Sequence, residues 1–258
     1  MLKEYLKSIA DVIRQGLNTT ATINAQDFPS QIGYAFEKQV SDGINIGVGM
    51  GKEEENTRMW DIFQCNGERD YYEYAFTRTN ATYISPKHIV APTSRVIHMF
   101  SNSPNLESID GDKFDFSNIS VTADASSGGY YNTFYNCPKL KIVPDINMPA
   151  GGMYYTFSGC ASLETIELVR YNADCVIKQA YTGCYALKNI TIEGEIGNNV
   201  DFSPCTLLTH ESLMSIINHL KDFSGTGTTR TLTIGTTNQA KLKDSEKSIA
   251  TEKGWTLA

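Results

Sequence analysis

One short phrase recurs through the middle of the chain, and it constrains the possible fold more than any other feature. Each copy begins with an aromatic residue. Three further positions follow at intervals of three: a small residue that is usually Cys, then Leu, then Ile or Val. The starting aromatics are 34, 23, 24 and 21 residues apart. A repeat of about 20 to 30 residues is typical of a solenoid, in which each coil buries its apolar face against its neighbours. The copies begin at Phe100, Phe134, Phe157, Tyr181 and, in truncated form, Phe202.

The recurring positions are expected to form the core. Each Leu is followed by a short alternating run, such as 166–168 or 190–192, whose period of two suits a strand with one buried face. The aromatic residue and the Cys precede this strand, in a tight turn or a 3-10 turn. Stacked copies would therefore form a parallel β ladder with tight turns opposite. The predicted core residues of the repeats are Phe100, Leu106, Phe134, Cys137, Leu140, Phe157, Cys160, Leu163, Tyr181, Cys184, Leu187 and Cys205.

Four of the six cysteines occupy the same position in successive copies: Cys137, Cys160, Cys184 and Cys205. Stacked copies give them parallel Cβ vectors, which are poor geometry for a disulfide. A zinc site needs four ligands that converge on one point, and this arrangement does not offer them. We therefore expect reduced, buried, structural cysteines, with no metal and no cofactor.

The N-terminal segment, residues 1–40, is predicted to be helical and to serve attachment or oligomerisation. A helix as short as 1–15 is not stable alone in water, so its apolar stripe needs a partner. That partner is another copy of the chain, a neighbouring protein, or residues 17–40. The stripe consists of Leu2, Leu6, Ile9 and Ile13.

The remaining divisions follow from local composition. Residues 41–56 contain four glycines and three consecutive glutamates, which indicate a flexible, solvated linker. Residues 57–73 are expected to cap the first coil, because a solenoid end otherwise exposes its core. Residues 74–208 contain the repeated copies, beginning with a degenerate one at Phe76.

Residues 209–258 are predicted to form a small α/β C-terminal cap that seals the last coil. Apolar residues at helical spacing after Thr209 indicate a helix that this residue caps. The elements expected after it are a strand at 230–234, short helices that begin at Asn238 and Asp244, and a strand at 255–257.

Charge and hydropathy exclude several classes of function. The net charge of -7, with no basic run, argues against a general nucleic-acid binder. No stretch approaches the ~20 apolar residues that a membrane-spanning helix needs. Charged residues interrupt the first 15 positions, where a signal peptide would be apolar. We expect a protein made in the cytosol, with no export signal, no nucleic-acid partner and no membrane insertion.

No catalytic motif is recognisable in the sequence. The four histidines are scattered, and no serine triad or zinc-protease motif is present. We therefore expect no enzymatic activity. A carboxylate pair for glycoside hydrolysis remains an alternative, because such a pair forms only in space. The histidines are His88, His98, His210 and His219.

Tyrosine is the most suggestive side chain on the predicted surface. In an alternating segment, one member of each tyrosine doublet faces the core and the other faces water. If Tyr131 and Tyr155 are the buried members, an exposed aromatic stripe results. Such a stripe suits glycan stacking or protein contact, and the alternative is that the rings only shield the turns. The candidate binding residues are Tyr130, Tyr135, Tyr154 and Tyr185.

The phrase at 157–166 resembles the BspA-type leucine-rich repeat, whose coils carry the pattern Ala-Phe-x-x-Cys-x-x-Leu-x-x-Ile. The resemblance covers residues 74–208, with Ser103 in place of Cys and Tyr181 in place of Phe. Four flanking phrases are similar to those of leucine-rich-repeat proteins encoded in tailed phages and prophages of gut bacteria. These phrases lie at 9–13, 23–28, 59–64 and 253–257.

This resemblance implies adhesion. BspA-type proteins are surface adhesins, and their phage relatives are generally assigned to the tail or virion. It implies a virion-borne, tail-fibre or receptor-binding module that contacts a host-surface glycan or protein through its repeats. Residues 1–40 would attach it to other virion proteins or form a homo-oligomer.

The expected absence of a signal peptide favours a virion assembled in the bacterial cytoplasm over a secreted adhesin. The alternatives are a purely structural component of a phage head or tail, a bacterial surface adhesin, and a carbohydrate-active enzyme.

Overall fold

The computed structural model describes only part of the chain, and all of that part lies in one compact unit. The predictions for residues 1–40, 41–56 and 57–73 fall outside the described residues. The described residues are 76–85, 96–112, 114–116, 129–148 and 152–258.

Short strands dominate the first part of this structure, and three helices follow. The helices are α1 (His210–Asn218), α2 (Gly235–Gln239) and α3 (Asp244–Glu252). No helix within the described ranges is both long and apolar enough to cross a membrane. The strands are β1 (Tyr83–Ile84), β2 (Ser108–Ile109), β3 (Ile142–Val143), β4 (Ile146–Met148), β5 (Met153–Tyr154), β6 (Thr165–Tyr171), β7 (Ile177–Lys178), β8 (Asn189–Gly194), β9 (Val200–Asp201), β10 (Arg230–Thr233) and β11 (Trp255–Leu257).

All of these strands pair in parallel. Strands β3 and β4 pair with β6, which pairs with β8, while β9, β10 and β11 form a sheet of their own. Two further pairs join β1 to β2 and β5 to β7. No sheet in the described part closes into a barrel. The prediction of parallel sheets with few helices is therefore confirmed, while the leucine-rich-repeat solenoid stays a prediction.

The register joins equivalent positions of successive copies. Val143 of one copy pairs with Ile166 of the next, and Ile166 pairs with Ile190 of the copy after that. All three side chains are buried. The alternating run after each Leu thus packs directly on its counterpart in the neighbouring copy.

The aromatic residues that begin the copies are buried and stacked in one continuous column. Aromatic pairs of this kind contribute about 0.5–1.5 kcal/mol each beyond the burial of their area. Every predicted core residue of the repeats is also buried. The ring centroids are 5.4 Å apart for Phe76 and Phe100, 5.0 Å for Phe100 and Phe134, 5.6 Å for Phe134 and Phe157, 5.9 Å for Phe157 and Tyr181, and 4.3 Å for Tyr181 and Phe202.

Backbone hydrogen bonds extend the stacking into the turns. The N–H of Phe134 donates to the carbonyl of Thr156 at 2.9 Å, and the aromatic residues of neighbouring copies make equivalent bonds. In the copies that begin at Phe100, Phe134, Phe157 and Tyr181, the residues two places before and two places after the aromatic have left-handed backbones, as Asn132 (φ 54°) and Asn136 (φ 56°) illustrate. Gly159 takes the second of these positions with a φ of 82°. Two such residues in each of these four copies make the tight turn.

The repeated Cys position is a hydrogen-bond donor position. The thiol of Cys160 donates to the carbonyl of Phe134, the aromatic residue of the preceding copy, at 3.0 Å. At the same position Ser103 donates to Phe76 O at 3.2 Å, so the departure from Cys keeps the donor. Burial raises the pKa of each thiol, which keeps its proton. The free, buried cysteines are Cys137, Cys160, Cys175, Cys184 and Cys205.

A buried hydroxyl pair accounts for the one tyrosine in the ring column. The hydroxyl of Tyr181 is hydrogen-bonded to that of Tyr171, and both side chains are buried. Burial raises the pKa of both phenols, so the pair is neutral. A Tyr fits this position of the phrase because Tyr171 satisfies its hydroxyl.

Helix α1 seals the edge of strand β8. Thr209 caps the helix by accepting the N–H of Ser212 at 3.2 Å, as the sequence predicts. The hydroxyl oxygens of Ser212 and Ser215 then accept the N–H groups of Ile190 and Ile192 at 3.0 and 2.9 Å. Side chains of the helix thus satisfy edge amides that the next strand would otherwise bind.

The prediction of a helix that begins at Asn238 is wrong. Helix α2 begins at Gly235, and Asn238 lies near its end. The reason is that Asn238 is fully buried, and its amide donates to the carbonyls of Cys205 and Ile234 at 3.0 and 3.1 Å. It therefore provides a hydrogen bond to a carbonyl of the last repeat copy instead of capping a helix. Helix α3 begins at Asp244, as predicted.

The donor role of the Cys position can be tested at Cys160. Cys160→Ser keeps a donor, so its free energy of unfolding is expected to stay within about 1 kcal/mol of wild type. Cys160→Ala removes the donor and is expected to lower that energy by about 1–3 kcal/mol. Urea unfolding of the full chain measures both. Equal stability of the two variants would contradict the assignment.

The hydroxyl pair can be tested by a double-mutant cycle. Tyr171→Phe and Tyr181→Phe each leave one buried hydroxyl without its partner, which is expected to cost about 1–3 kcal/mol of unfolding free energy. The double variant removes both hydroxyls and is expected to be closer to wild type than the sum of the single changes. Thermal unfolding gives the coupling energy, and additive effects would exclude the pair.

Candidate binding surface

The four candidate tyrosines lie in different surroundings. Tyr185 and Tyr135 are exposed, at 64% and 37% of their surface, and Tyr154 is half-buried. Tyr130 is fully buried, so its expected exposure is wrong. The proposed stripe of these four residues is therefore not a single surface.

The two tyrosine doublets, 130–131 and 154–155, are in positions that differ by one residue relative to the aromatic that follows them. Tyr130 stands four residues before Phe134, and the equivalent residue before Phe157 is Met153, which is also buried. The second tyrosine doublet begins one place later than the first. Tyr130 and Tyr131 also lie in a tight turn, to which strand alternation does not apply. Tyr131 and Tyr155, which the sequence analysis took as the buried members of their doublets, are both half-buried.

Tyr131 is the centre of a half-buried aromatic cluster. Its ring centroid lies 6.2 Å from that of Tyr154, 6.4 Å from that of Tyr155 and 5.7 Å from the ring of His98. Tyr154 is tilted against Tyr131 by 32°, while Tyr155 and His98 meet it edge to face. We call these four residues, together with Asn132, the tyrosine patch.

The backbone ladder of the turns fixes the spacing of the tyrosine patch. The N–H groups of His98, Asn132 and Tyr155 donate to the carbonyls of Tyr131, Tyr154 and Lys178, each at 2.9 Å. His98, Asn132 and Tyr155 occupy the same place in successive copies, two residues before the aromatic. Each has a left-handed backbone, with φ of 54°, 54° and 53°. Three side chains of the patch are therefore attached at equivalent backbone positions of successive copies.

A tyrosine with a left-handed backbone is uncommon. The conformation costs a non-glycine residue about 1–2 kcal/mol, and Asn tolerates it better than a bulky side chain does. Asn132 occupies the equivalent place, where its small side chain tolerates the left-handed backbone. The turn itself requires the conformation, because His98, Asn132 and Gln179 adopt it at the same place in neighbouring copies. Tyr155 is thus a bulky side chain at a place that the repeated turn makes left-handed.

The polar groups of the patch surround the histidine ring. The amide nitrogen of Asn132 donates to His98 Nε2 at 3.3 Å, so a neutral ring has its proton on Nδ1, 3.2 Å from Ser101 Oγ. Asn132 Oδ1 is buried and has no hydrogen-bond partner among the described residues. A buried acceptor without a donor is costly.

The two exposed tyrosines do not extend this patch. Tyr135 follows the aromatic residue of its copy, whereas Tyr185 follows the Cys of its copy, and a further copy lies between them. No ring contact joins either one to another aromatic residue within the described part. They are separate surface features.

Glu107 and Glu164 form ion pairs with lysines at the surface. Hydrogen bonds from Lys141 and Lys188 lower the pKa of Glu107 and Glu164. A glycosidase acid has a raised pKa, whereas the pKa of Glu107, Glu164, Asp222 and Glu246 is lowered. No group of three or more His, Cys, Asp or Glu side chains in the described ranges could hold a metal ion.

No protein-family model, no curated protein and no solved structure matches the chain. The resemblance to the BspA-type repeat therefore rests on the residues of the repeated phrase and its flanks.

Sequence reasoning missed His98, Tyr131, Asn132 and Tyr155 as members of one surface. A usable signal was present, because His98, Asn132 and Tyr155 align when the copies are superimposed on their first aromatic residue. The left-handed backbone of Tyr155 gave no sequence signal, since Asn, Asp and His are enriched in that conformation and Tyr is not.

Strain at Tyr155 can be measured by comparing two truncations. Tyr155→Asn and Tyr155→Ala both remove the ring, but only Asn tolerates the left-handed backbone well. The Asn variant is expected to be more stable than the Ala variant by about 0.5–1 kcal/mol. Urea unfolding measures the difference, with Tyr154→Asn and Tyr154→Ala as the control pair. An Ala variant at least as stable as the Asn variant would rule out strain.

Proposed function

We propose that the chain is a non-enzymatic binding module that contacts a host-surface glycan through the tyrosine patch. It is a BspA-type leucine-rich-repeat solenoid and belongs to a phage virion, as a tail-fibre or receptor-binding component. The observation that carries the proposal is the half-buried group of three tyrosine rings with a histidine and an asparagine.

The solenoid is supported by three repeated contacts. Parallel strands pair equivalent residues of successive copies. The first aromatic residues stack in one column. Each Cys donates to the copy before it, as Cys160 does to Phe134. In a solenoid each repeat contacts only its neighbours, and these contacts have that pattern.

Glycan binding is supported by the chemistry of the patch. Tyrosine offers a rigid apolar face and a polar hydroxyl, which suit the two kinds of surface on a sugar ring. His98 adds a polar ring on the same scaffold, next to the amide of Asn132. Backbone hydrogen bonds fix the spacing of the residues that carry these groups, so less conformational entropy is lost when a ligand binds.

A binding role without catalysis is supported by the state of the reactive side chains. The described thiols are buried, and their raised pKa makes them poor nucleophiles. Glu107 and Glu164 have a lowered pKa, opposite to that of a general acid. A virion role is supported by the resemblance of the repeats and flanks to phage-encoded proteins. In that role residues 1–40 attach the module to other virion proteins or to further copies.

The proposal is tested with the double variant Tyr131→Ala/Tyr154→Ala. Binding of the purified full chain to intact host bacteria is expected to weaken by about tenfold or more, since a central aromatic contact contributes about 2 kcal/mol. Tyr185→Ala is the matched control, because Tyr185 is the most exposed of the described tyrosines and lies outside the patch. Circular dichroism checks that each variant is folded.

Treatment of the cells identifies the type of receptor. Periodate, which oxidises sugars, is expected to abolish binding, whereas protease treatment of the cells leaves it intact. Unchanged binding by the double variant would overturn the role of the patch. Loss of binding after protease alone would identify a protein receptor, and no binding to any host surface would favour a structural virion component.

A further inference from the structure

A lysine lies directly beside the tyrosine patch. Strands β5 and β7 pair Tyr154 with Lys178, and the N–H of Tyr155 donates to Lys178 O at 2.9 Å. Lys178 is therefore the next residue along the row that contains Tyr131 and Tyr154. Its side chain is exposed.

Three other cations of the repeats have acidic partners. Lys141 pairs with Glu107 at 2.5 Å, and Lys188 pairs with Glu164 at 2.9 Å. Arg170 lies between two carboxylates, at 3.1 Å from Asp145 and 3.0 Å from Glu193.

Lys178 differs from them, because it forms no ion pair with any described residue. Its charge is thus available to a ligand that occupies the neighbouring rings.

We propose that Lys178 makes the tyrosine patch selective for acidic glycans, whose sugar rings pack on the tyrosines while a carboxylate meets the ammonium group. The inference rests on the proposed glycan-binding function and adds the class of sugar. An ammonium–carboxylate hydrogen bond is about twice as strong as a neutral one. Gln179, also exposed, adds an amide next to the lysine.

The charge of the whole chain favours this ligand over a dense polyanion. Nucleic acids carry one negative charge for about every 1.7 Å of duplex, and a net charge of -7 repels such a ligand. An acidic polysaccharide has carboxylates spaced by whole sugar units. Since surface charges interact over only about 8 Å at physiological salt, a single lysine suits widely spaced carboxylates.

The experiment uses a glycan array that carries sialylated and uronic-acid glycans, each beside its desialylated or carboxyl-reduced counterpart. The wild-type chain is expected to bind an acidic member about tenfold more tightly than its neutral counterpart. Lys178→Gln is expected to remove this preference without weakening neutral binding, and Lys178→Arg to retain it. Raising the salt from about 50 mM to about 500 mM is expected to reduce the preference of the wild type.

Lys188→Gln is the matched control, because Lys188 is an exposed lysine that already pairs with Glu164. It is expected to keep the wild-type preference. If Lys178→Gln and wild type have the same preference, or wild type does not distinguish the paired glycans, the selectivity inference is overturned and glycan binding stands. If wild type binds no glycan of either kind, both the inference and the proposed glycan receptor are overturned.

Discussion

The stacked column of aromatic rings is the interaction on which the rest of this structure depends. Its rings are 4.3–5.9 Å apart, a spacing compatible with the ~4.8 Å between paired strands. Side-chain stacking and backbone pairing therefore favour the same separation between copies. The thiol of Cys160 reaches Phe134 O only when this separation is maintained.

The tyrosine patch is a consequence of the same turns. In the copies that begin at Phe100, Phe134, Phe157 and Tyr181, the turn has a left-handed residue two places before the aromatic and another two places after it, and Asn132 and Tyr155 are examples of the first. Their side chains are thereby aligned along the stack. The core and the candidate binding surface share one backbone, so the patch is as rigid as the ladder beneath it.

The sequence predicted correctly those features that depend only on residues close together in the chain. Phe157 and Leu163 recur with their copies and are buried, and Thr209 caps α1, because period and capping chemistry are local properties. It failed at Tyr130, whose burial depends on its place in a tight turn. It also failed at Asn238, because a buried Asn that satisfies Cys205 O has the same sequence signal as one that begins a helix.

The sequence by itself determined the repeat, its buried positions and the parallel strands, since the spacing of apolar residues decides which side chains leave water together. Only the tertiary structure decided which polar and aromatic side chains meet on the surface. Tyr131, Tyr154 and Lys178 come from three copies, and the register of β5 on β7 places Tyr154 beside Lys178. A surface is made of residues far apart in the chain, and only the stacking of the copies brings them within contact distance.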